Sequence, residues 1–395
     1  MMAPAAGPTP ADLALARQAW AHVDLAAIRA NLDLARRLIP EPTQLMAVVK
    51  AGGYGHGMLE VARTALAWGC TWLGVGNLGE GLALRQAGVD APCLVMAPVQ
   101  AAEAELYLRH NLVPSVTTAE AAAALSAAAA VFPGRTESSA PVPVHLLVDC
   151  GLGRFGVRPA AVADLGRVIA DLPGLELQGL YTHFGNPTDT RRTRAELSRF
   201  DVARAALEAA TGAVPLVHAA GSEAAVLVPE SRLDLVRLGN LMYGYWAGPR
   251  SSAPLVDGHA PRQAWTLRAR VIEVRNFARG QTLGYGGFRA RRRMRVAVLP
   301  AGVADGISLR AIQPGAGLRP VLETMLKEVA RSLVRRWRPH VVFSGGYRAP
   351  IVGRVGMQFT LVDITEVGGI AVGDEAVVPG VRATACSSLP RVYSG

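Results

Sequence analysis

Short apolar segments recur along the first two-thirds of the chain, and helix-like segments separate them. The apolar segments lie near residues 45–49, 72–76, 92–96, 112–116, 143–149, 176–183, 215–219 and 234–237. Segments with helical character lie near residues 57–68, 78–87, 101–109, 118–132, 158–171, 189–210 and 222–228. Continuous apolar strands that alternate with helices are typical of parallel βαβ units. Eight such units predict an α/β fold, a closed parallel (β/α)8 barrel of the TIM type rather than an open sheet.

The pattern changes beyond about residue 262. Apolar and polar residues alternate over 266–277, 294–299 and 358–364, which predicts antiparallel strands. The sequence therefore predicts a mainly-β C-terminal domain after the barrel. The expected organisation is a disordered or loosely ordered N-terminal arm at 1–18, a barrel at 19–262, a β-rich domain at 263–395, and an extra amphipathic helix near 320–340 within that domain.

Composition excludes several classes of protein. Half of the 395 residues are hydrophobic, which is ample for a large core, yet no apolar stretch reaches the ~18 residues that span a bilayer. The N-terminus lacks the charged and apolar regions of a secretory signal. Four cysteines and eight histidines show no metal-ligand spacing. We therefore expect free thiols in a reducing cytoplasm, no metal site and no membrane partner.

The formal net charge of +10 includes a dense arginine run at residues 289–295. Such a run raises the question of nucleic-acid binding. No nucleic-acid-binding motif accompanies it, and aromatic residues make up only 6% of the chain. We interpret the run as a solvated face, or as a positive field that attracts an anionic small ligand.

Lysine is the scarcest of the charged residues: the chain has two lysines and 39 arginines. Lys50 ends the apolar run 45–49 and opens a glycine-rich turn, whereas Lys327 occupies a polar position that predicts a solvated side chain. An ε-amine can lose its proton when buried and become a nucleophile or base, which guanidinium cannot do. Lys50 is therefore the candidate for an amine that forms a Schiff base.

Active groups of such barrels lie at the carboxyl ends of the strands. At these predicted ends the sequence carries Lys50 and Tyr54, Asp149 to Arg154, His183, His218 to Ser222, and Arg237 to Asn240. Ser222 and the backbone amides of Gly239 and Asn240 would suit a phosphate near a helix N-terminus. An amine, a phosphate cradle and an arginine on one rim indicate pyridoxal 5'-phosphate, whose aldehyde condenses with lysine.

Residues 47–57, Ala-Val-Val-Lys-Ala-Gly-Gly-Tyr-Gly-His-Gly, closely resemble the cofactor-lysine signature of the alanine racemase family. The resemblance extends over most of the chain and includes residues 23–25, 149–156, 181–184, 218–222, 236–244, 284–287, 304–306, 352–357 and 390–393. It implies a pyridoxal-phosphate barrel with a C-terminal β domain, and an activity that interconverts L- and D-alanine. In bacteria, D-alanine is used for peptidoglycan.

Racemisation removes a proton from one face of the substrate carbon and returns one on the other face, so it needs two acid/base groups. The resemblance implies that Lys50 serves one face and Tyr285 the other, with Tyr285 supplied by the partner subunit of a homodimer. A phenol with the ordinary pKa near ~10 is a poor base at neutral pH, so nearby positive charge is expected. His183 would link Tyr285 to Arg237, which would face the pyridine nitrogen of the cofactor.

The remaining site residues are carried over from the same family. Arg154 and the backbone of Met357, together with Tyr285, would bind the substrate. Tyr54, Ser222, Gly239 and Asn240 would hold the cofactor phosphate.

Several positions depart from the family pattern. The lysine that is commonly carbamylated falls on Leu147, so Arg154 would need chloride or another partner. A usual tyrosine falls on Val303, a phosphate tyrosine falls loosely on Ser387, and residues 308–348 are longer than usual. The loss of bulk at Val303 leads to the hypothesis that serine or longer amino acids are accepted.

Three functions remain open on the sequence alone. The leading one is an alanine racemase. A second is a racemase or epimerase of broader or different amino-acid specificity, or a related decarboxylase, although the presence of both Lys50 and Tyr285 favours two-base racemisation. A third is a low-activity regulatory protein that binds pyridoxal phosphate, which the presence of residues 266–395 disfavours.

Overall fold

The computed structural model describes residues 9–134, 136, 139–212, 216–248, 258–307, 322, 325–326, 339–382 and 389–395. These residues form two compact units. One unit spans Leu25–Ala264, and the other joins the residues up to Asp24 with those from Trp265 onward. Within the described ranges, no helix is both long and apolar enough to cross a membrane.

We call Leu25–Ala264 the first unit and the remaining residues the second unit. Helices and strands alternate through the first unit, whereas strands predominate in the second. The right-handed α-helices are Pro10–Arg17, Leu25–Leu38, Met58–Trp68, Leu78–Gln86, Ala104–Arg109, Ala119–Val131, Val162–Asp171, Thr190–Thr211 and Ser222–Leu227, and Lys50–Tyr54 forms a short left-handed turn. The strands are β1 (Ala19–Asp24), β2 (Gln44–Val48), β3 (Trp72–Val75), β4 (Cys93–Pro98), β5 (Val113–Val116), β6 (Val142–Val148), β7 (Leu175–Thr182), β8 (Leu216–His218), β9 (Leu235–Leu238), β10 (Trp265–Arg270), β11 (Glu273–Phe277), β12 (Thr282–Leu283), β13 (Phe288–Arg289), β14 (Met294–Leu299), β15 (His340–Phe343), β16 (Arg348–Val352), β17 (Thr360–Asp363), β18 (Glu375–Val378) and β19 (Arg391–Ser394).

Strands β2 to β9 form a parallel sheet in the order β8-β7-β6-β5-β4-β3-β2-β9. The ring closes between β8 and β9, where the backbone N–H of Asp234 donates to the carbonyl of Val217 at 3.0 Å and that of Arg237 to Ala220 at 3.1 Å. These eight strands coincide with the eight apolar segments of the sequence. The predicted barrel is therefore confirmed.

The barrel interior contains a layer to which every strand contributes one buried side chain. The layer consists of Met46, Trp72, Leu94, Val113, Leu147, Tyr181, Leu216 and Leu235. A parallel strand that is covered by helices on one side and closed into a barrel on the other is buried on both faces. This is why the strands read as continuous apolar runs in the sequence.

The second unit is built on a nine-stranded sheet in the order β11-β14-β17-β16-β15-β18-β10-β1-β19. All neighbours pair antiparallel except β1 and β19, which run parallel. The segment 266–277 forms two strands, β10 and β11, because the extended chain is interrupted at Val271 and Ile272. Strands β12 and β13 form a separate hairpin.

The N-terminal segment differs from the sequence-based expectation in two respects. Residues 10–17 form a helix that is capped by Thr9, whereas a loosely ordered arm was expected. Residues 19–24 were expected to begin the barrel but form β1, which pairs with β10 and β19 in the second unit. The predicted helix near 320–340, Lys327, Cys386 and Ser387 lie outside the described residues, apart from isolated positions of that helix.

Candidate active site

Lys50 lies two residues after the end of β2 and opens a turn of left-handed helical conformation. Ala51, Gly52 and Gly53 have φ/ψ angles of 53/48, 62/38 and 64/43 degrees, and Tyr54 has a φ of 53°. Glycine adopts this conformation freely, but an L-residue such as Ala51 or Tyr54 loses about 1–2 kcal/mol there. Strain of this kind persists where surrounding contacts hold it, and it is concentrated at functional sites.

Lys50 lines a cavity of about 200 Å³ at the carboxyl ends of the strands, together with Arg154, His183 and Arg237. Partial burial, followed by the positive charges of Arg154 and Arg237, lowers the pKa of the Lys50 amine, while Glu80 opposes the shift. A lowered pKa increases the fraction of neutral amine, which is the form that attacks a carbonyl or accepts a proton.

Arg237 is buried, with 3% of its surface exposed, and its guanidinium contacts only neutral acceptors among the described residues. It donates to the carbonyls of Thr182 at 2.6 Å and Ala219 at 2.8 Å, and to the Nδ1 atoms of His218 at 2.7 Å and His183 at 3.2 Å. Burial lowers its pKa to about 10, so the group stays protonated at neutral pH. A cation in this setting favours an anionic or electron-rich ligand.

These contacts fix the tautomers of two histidines. Arginine has no acceptor atom, so Nδ1 of His183 and Nδ1 of His218 must accept, and each neutral ring carries its proton on Nε2. The His183 ring is exposed in the single chain. The protein atoms packed around the ring nevertheless remove water from it, and this desolvation, followed by the charge of Arg237, lowers the pKa of His183. Its Nε2–H is thus a donor group at the cavity.

The hydrogen-bonded chain continues into the barrel, which the sequence did not indicate. Nε2 of His218 lies 3.0 Å from Nδ1 of His145, and both rings are fully buried. Tyr181 stacks on His218 with ring centroids 4.7 Å apart. The sequence placed His218 only at a strand end and did not single out His145. The one available signal was a histidine inside an otherwise apolar strand.

The predicted phosphate residues meet at one place on the rim. The hydroxyl of the buried Ser222 accepts hydrogen bonds from the backbone N–H of Gly239 at 3.0 Å and of Leu241 at 3.2 Å. A Cβ at Gly239 would lie 2.8 Å from the Tyr54 hydroxyl, so glycine is required for this approach. The side chain of Asn240 donates to Glu223 at 2.8 Å. Two hydroxyl groups therefore converge beside a glycine, as a phosphate cradle requires.

Arg154 lies in the loop after β6 and is exposed, with its guanidinium 5.0 Å above the Phe155 ring. The loop is shaped by Asp149, whose Oδ1 accepts from the N–H groups of Gly151 and Gly153, each at 3.0 Å. Leu147 is buried in the interior layer of the barrel and lines the same cavity. An apolar side chain therefore occupies the position where the resemblance places a carbamylated lysine.

Tyr285 lies in the second unit, at the tip of the β12–β13 hairpin. Its neighbours Gly284, Gly286 and Gly287 all have positive φ angles, between 58° and 82°, which allow the chain to reverse there. The Tyr285 side chain is 73% exposed. The hairpin therefore presents a phenol to its surroundings instead of packing it.

Met357 is also in the second unit and is 70% exposed. Its backbone carbonyl accepts from the N–H of Ala304 at 2.9 Å, and the carbonyl of Gly356 accepts from Val303 at 2.9 Å. A Cβ at Gly302 would lie 2.4 Å from both carbonyls, so a glycine is needed for this contact. The two loops thus fix the backbone on both sides of Met357.

Comparison with known proteins accounts for both units. Residues 23–246 match the family described as alanine racemase, N-terminal domain, and residues 264–392 match alanine racemase, C-terminal domain. The chain belongs to the alanine racemase family. The alanine racemases of Desulfosudis oleivorans and Symbiobacterium thermophilum are each 36% identical to it, over 92% and 93% of this chain and 87% and 89% of the relatives. The solved structure of the alanine racemase from Streptomyces coelicolor A3(2) aligns with a TM-score of 0.79 and 27% identity, covering 98% of this chain and 100% of that chain.

Among the predicted site residues of this alanine racemase family member, the structure brings two groups together in the barrel unit. Lys50, Arg154, His183 and Arg237 line one cavity, and Tyr54 and Ser222 each approach Gly239 on the rim. Tyr285 and Met357 lie in the other unit, each with a highly exposed side chain.

Proposed function

We propose that this protein is an alanine racemase that interconverts L- and D-alanine with pyridoxal 5'-phosphate and supplies D-alanine for peptidoglycan. The observation that carries the proposal is an amine of lowered pKa, Lys50, in one cavity with Arg154, His183 and Arg237. Membership of the alanine racemase family supports the reaction, and the cofactor and its residues are inferred from the site.

The residues of the barrel rim fit this cofactor. The glycine at 239 leaves the room that the Tyr54 hydroxyl occupies, and the Ser222 hydroxyl accepts two N–H groups, so its own proton is free to be donated. Tyr54, Ser222, Gly239 and Asn240 would hold the phosphate, with Lys50 as the point of attachment. When bound, the cofactor supplies an electron-withdrawing ring that acidifies the Cα proton of the attached amino acid.

Arg237 would face the nitrogen of the cofactor ring. Its contacts to His218, His183, Thr182 and Ala219 account for one Nη1 hydrogen and both Nη2 hydrogens, so its Nε–H and a second Nη1 hydrogen remain to donate to a ligand. A guanidinium with a pKa of about 10 holds its proton at neutral pH. The ring nitrogen would then stay unprotonated, which weakens electron withdrawal and disfavours side reactions such as transamination.

Lys50 would exchange a proton with one face of the substrate Cα. Burial and the two arginines lower its pKa, which increases the fraction of neutral amine that can accept that proton. Arg154 would orient the substrate carboxylate through two parallel hydrogen bonds, which a guanidinium provides and a lysine does not. Leu147 offers Arg154 no anion, so the substrate carboxylate or a small anion would neutralise it.

Tyr285 would serve the opposite face from the partner subunit of a homodimer, and the backbone of Met357 would bind substrate there. Tyr285 and Met357 are 73% and 70% exposed, so both side chains are accessible to a second subunit. In the assembled dimer, Nε2–H of His183 would donate to the phenol oxygen and link it to Arg237. We place the enzyme in the cytoplasm, where free thiols such as the three described cysteines persist.

The deciding experiment is Cα deuterium exchange on L- and D-alanine in heavy water. A two-base racemase incorporates deuterium with inversion in both directions. Lys50→Ala and Tyr285→Phe should each slow the exchange of one enantiomer more than that of the other. Binding of the cofactor without any exchange would instead indicate the regulatory alternative. Exchange without inversion would remove one of the two acid/base groups from the mechanism.

A broader amino-acid specificity is the second candidate, and Val303 favours it. Valine replaces the larger tyrosine expected there. Its backbone N–H donates to the carbonyl of Gly356, the residue before Met357. We expect measurable turnover of serine, and Val303→Tyr should lower kcat/KM for serine more than for alanine, by about tenfold for a poorly tolerated side chain. If the wild-type chain turns over alanine and every larger substrate is inert, this candidate is wrong.

A further inference from the structure

The left-handed turn after Lys50 needs a contact that holds it. Ala51 is an L-residue in this conformation, which costs about 1–2 kcal/mol, and the flanking glycines add flexibility to the free chain. Within the turn, the N–H groups of Gly53 and Gly57 donate to the carbonyls of Val49 and Gly52, each at 2.8 Å, but the N–H of Ala51 donates outside the turn. The surroundings must therefore supply the constraint.

Glu80 supplies that constraint directly. It lies in the first turn of the helix Leu78–Gln86, where its own N–H donates to Oδ1 of Asn77 at 3.1 Å. Its Oε1 accepts from the N–H of Ala51 at 2.6 Å, and its Oε2 accepts from the N–H of Gly76 at 2.7 Å. One carboxylate thus ties the residue after Lys50 to the residue after β3.

The space between these groups is small. A Cβ at Gly76 would lie 3.3 Å from Oε2 of Glu80 and 3.4 Å from the Lys50 Cβ, so the lysine stem and the carboxylate pack on either side of this glycine. Hydrogen bonds from N–H groups to a carboxylate are about twice as strong as neutral ones. The contact is therefore short, charge-assisted and adjacent to the lysine.

We propose that Glu80 is a positioning residue for Lys50. Its carboxylate clamps the backbone of Ala51 and Gly76 and so fixes the direction in which the Lys50 side chain points from the end of its strand. The proposal rests on the proposed function for the identity of the lysine's ligand. The clamp itself depends only on the described contacts.

Glu80 has a second, electrostatic effect that a purely structural contact would lack. The charged groups that act on Lys50 are the cations Arg154 and Arg237, which lower its pKa, and Glu80, which raises it. His183 also faces Lys50 but is neutral. Removing the charge of Glu80 should therefore lower the pKa of Lys50 further.

The two-lysine composition provides a direct assay. The full-length chain, freed of bound aldehyde, is acetylated in brief pulses across the neutral to alkaline range, and mass spectrometry follows Lys50 with Lys327 as the internal reference. We expect Glu80→Gln to move the midpoint of Lys50 labelling to lower pH. Glu80→Asp keeps the charge and should leave that midpoint near the wild-type value. The matched control is Glu120→Gln, an exposed glutamate in the first turn of the helix Ala119–Val131.

The geometric part is tested by titration with pyridoxal 5'-phosphate and borohydride trapping at Lys50. Both Glu80→Gln and Glu80→Asp lose the two-point contact, so we expect each to weaken the apparent affinity by about tenfold, the loss of one charge-assisted hydrogen bond. If one Glu80 variant unfolds, its two lysines will be labelled alike. The other Glu80 variant then provides the test of the clamp.

Wild-type labelling midpoints and wild-type affinity in both Glu80 variants would overturn the proposal. If the wild-type chain itself forms no reducible linkage at Lys50, the proposed function fails. The labelling midpoints would still test the clamp in that case.

Discussion

The buried histidine pair His145 and His218 should make the stability of the barrel depend on pH. Both side chains are fully buried and hydrogen-bonded to each other, so both must remain neutral in the folded chain. Burial, partly opposed by a contact with Gln178, lowers the pKa of His145 from 6.5 to about 4. As the pH falls below 6.5, the unfolded chain binds a proton first, and the folded chain does so only near 4. Stability is therefore complete above 6.5 and is lost as the pH falls toward 4.

The size of the loss follows from the gap between the two pKa values. One pH unit of difference corresponds to about 1.4 kcal/mol, so His145 alone should remove roughly 3 kcal/mol across this interval. Burial also lowers the pKa of His218, and its effect has the same sign in the same range. Since whole domains are stable by only about 5–15 kcal/mol, the loss should be easily measured.

The test compares wild type with His145→Asn by urea unfolding at pH values that bracket 6.5 and 4, at one fixed chain concentration. The Asn Oδ1 can still accept from Nε2–H of His218, but the asparagine side chain does not titrate. Unfolding is followed by the fluorescence of the six tryptophans, of which Trp72 has its ring 5.3 Å from His145. The slope of stability against pH should fall by roughly 3 kcal/mol over the interval, whereas the exposed control His259→Asn should keep the wild-type slope. Equal losses in wild type and His145→Asn would refute the reasoning.

Three further substitutions test other parts of the structure. Tyr285→Phe removes the phenol proposed as one acid/base group, so racemisation of alanine followed by circular dichroism should slow by about 100- to 1,000-fold; an unchanged kcat would contradict that role. Gly239→Ala places a Cβ 2.8 Å from the Tyr54 hydroxyl and should weaken cofactor binding about tenfold in a fluorescence titration, while an unaltered affinity would exclude the cradle. Arg17→Met leaves Asp305, whose side chain is 2% exposed, without its 2.9 Å ion pair. Urea unfolding should then show a loss of about 3 kcal/mol, and no measurable loss would mean that the pair contributes nothing.

The sequence predicted the barrel because the information needed was local. Each strand is buried on both faces and reads as an apolar run, and the helices between runs carry their own periodicity. Once the strand ends were known, the fold itself assigned Lys50, His183 and Arg237 to one rim, since the carboxyl ends of parallel strands meet there. The structure places all three on one cavity.

Features that depend on distant contacts could not be predicted in this way. The segment 19–24 is a strand by its own pattern, but nothing local states that its partners are β10 and β19 rather than the barrel. Glu80 looks like an ordinary first-turn glutamate until the backbone N–H of Ala51 is seen at 2.6 Å. The link from Arg237 to His145 also joins residues 92 positions apart and exists only because the barrel closes. Tertiary geometry, not residue type, creates these three features.

The balance of charge in the cavity explains why the site suits an anionic ligand. Lys50, Arg154 and Arg237 bring three basic side chains to one cavity, and two nearby carboxylates accept hydrogen bonds from backbone N–H groups. Asp149 accepts from Gly151 and Gly153, and Glu80 accepts from Ala51 and Gly76. Leu147 adds no charge where the family resemblance places an anion. Arg237 is held by neutral acceptors and has no carboxylate partner among the described residues, and such a preorganised cation stabilises negative charge at low reorganisation cost. A ligand that carries a phosphate and a carboxylate would complete the charge balance that the free chain lacks, which is the physical reason to expect both the cofactor and an amino-acid substrate here.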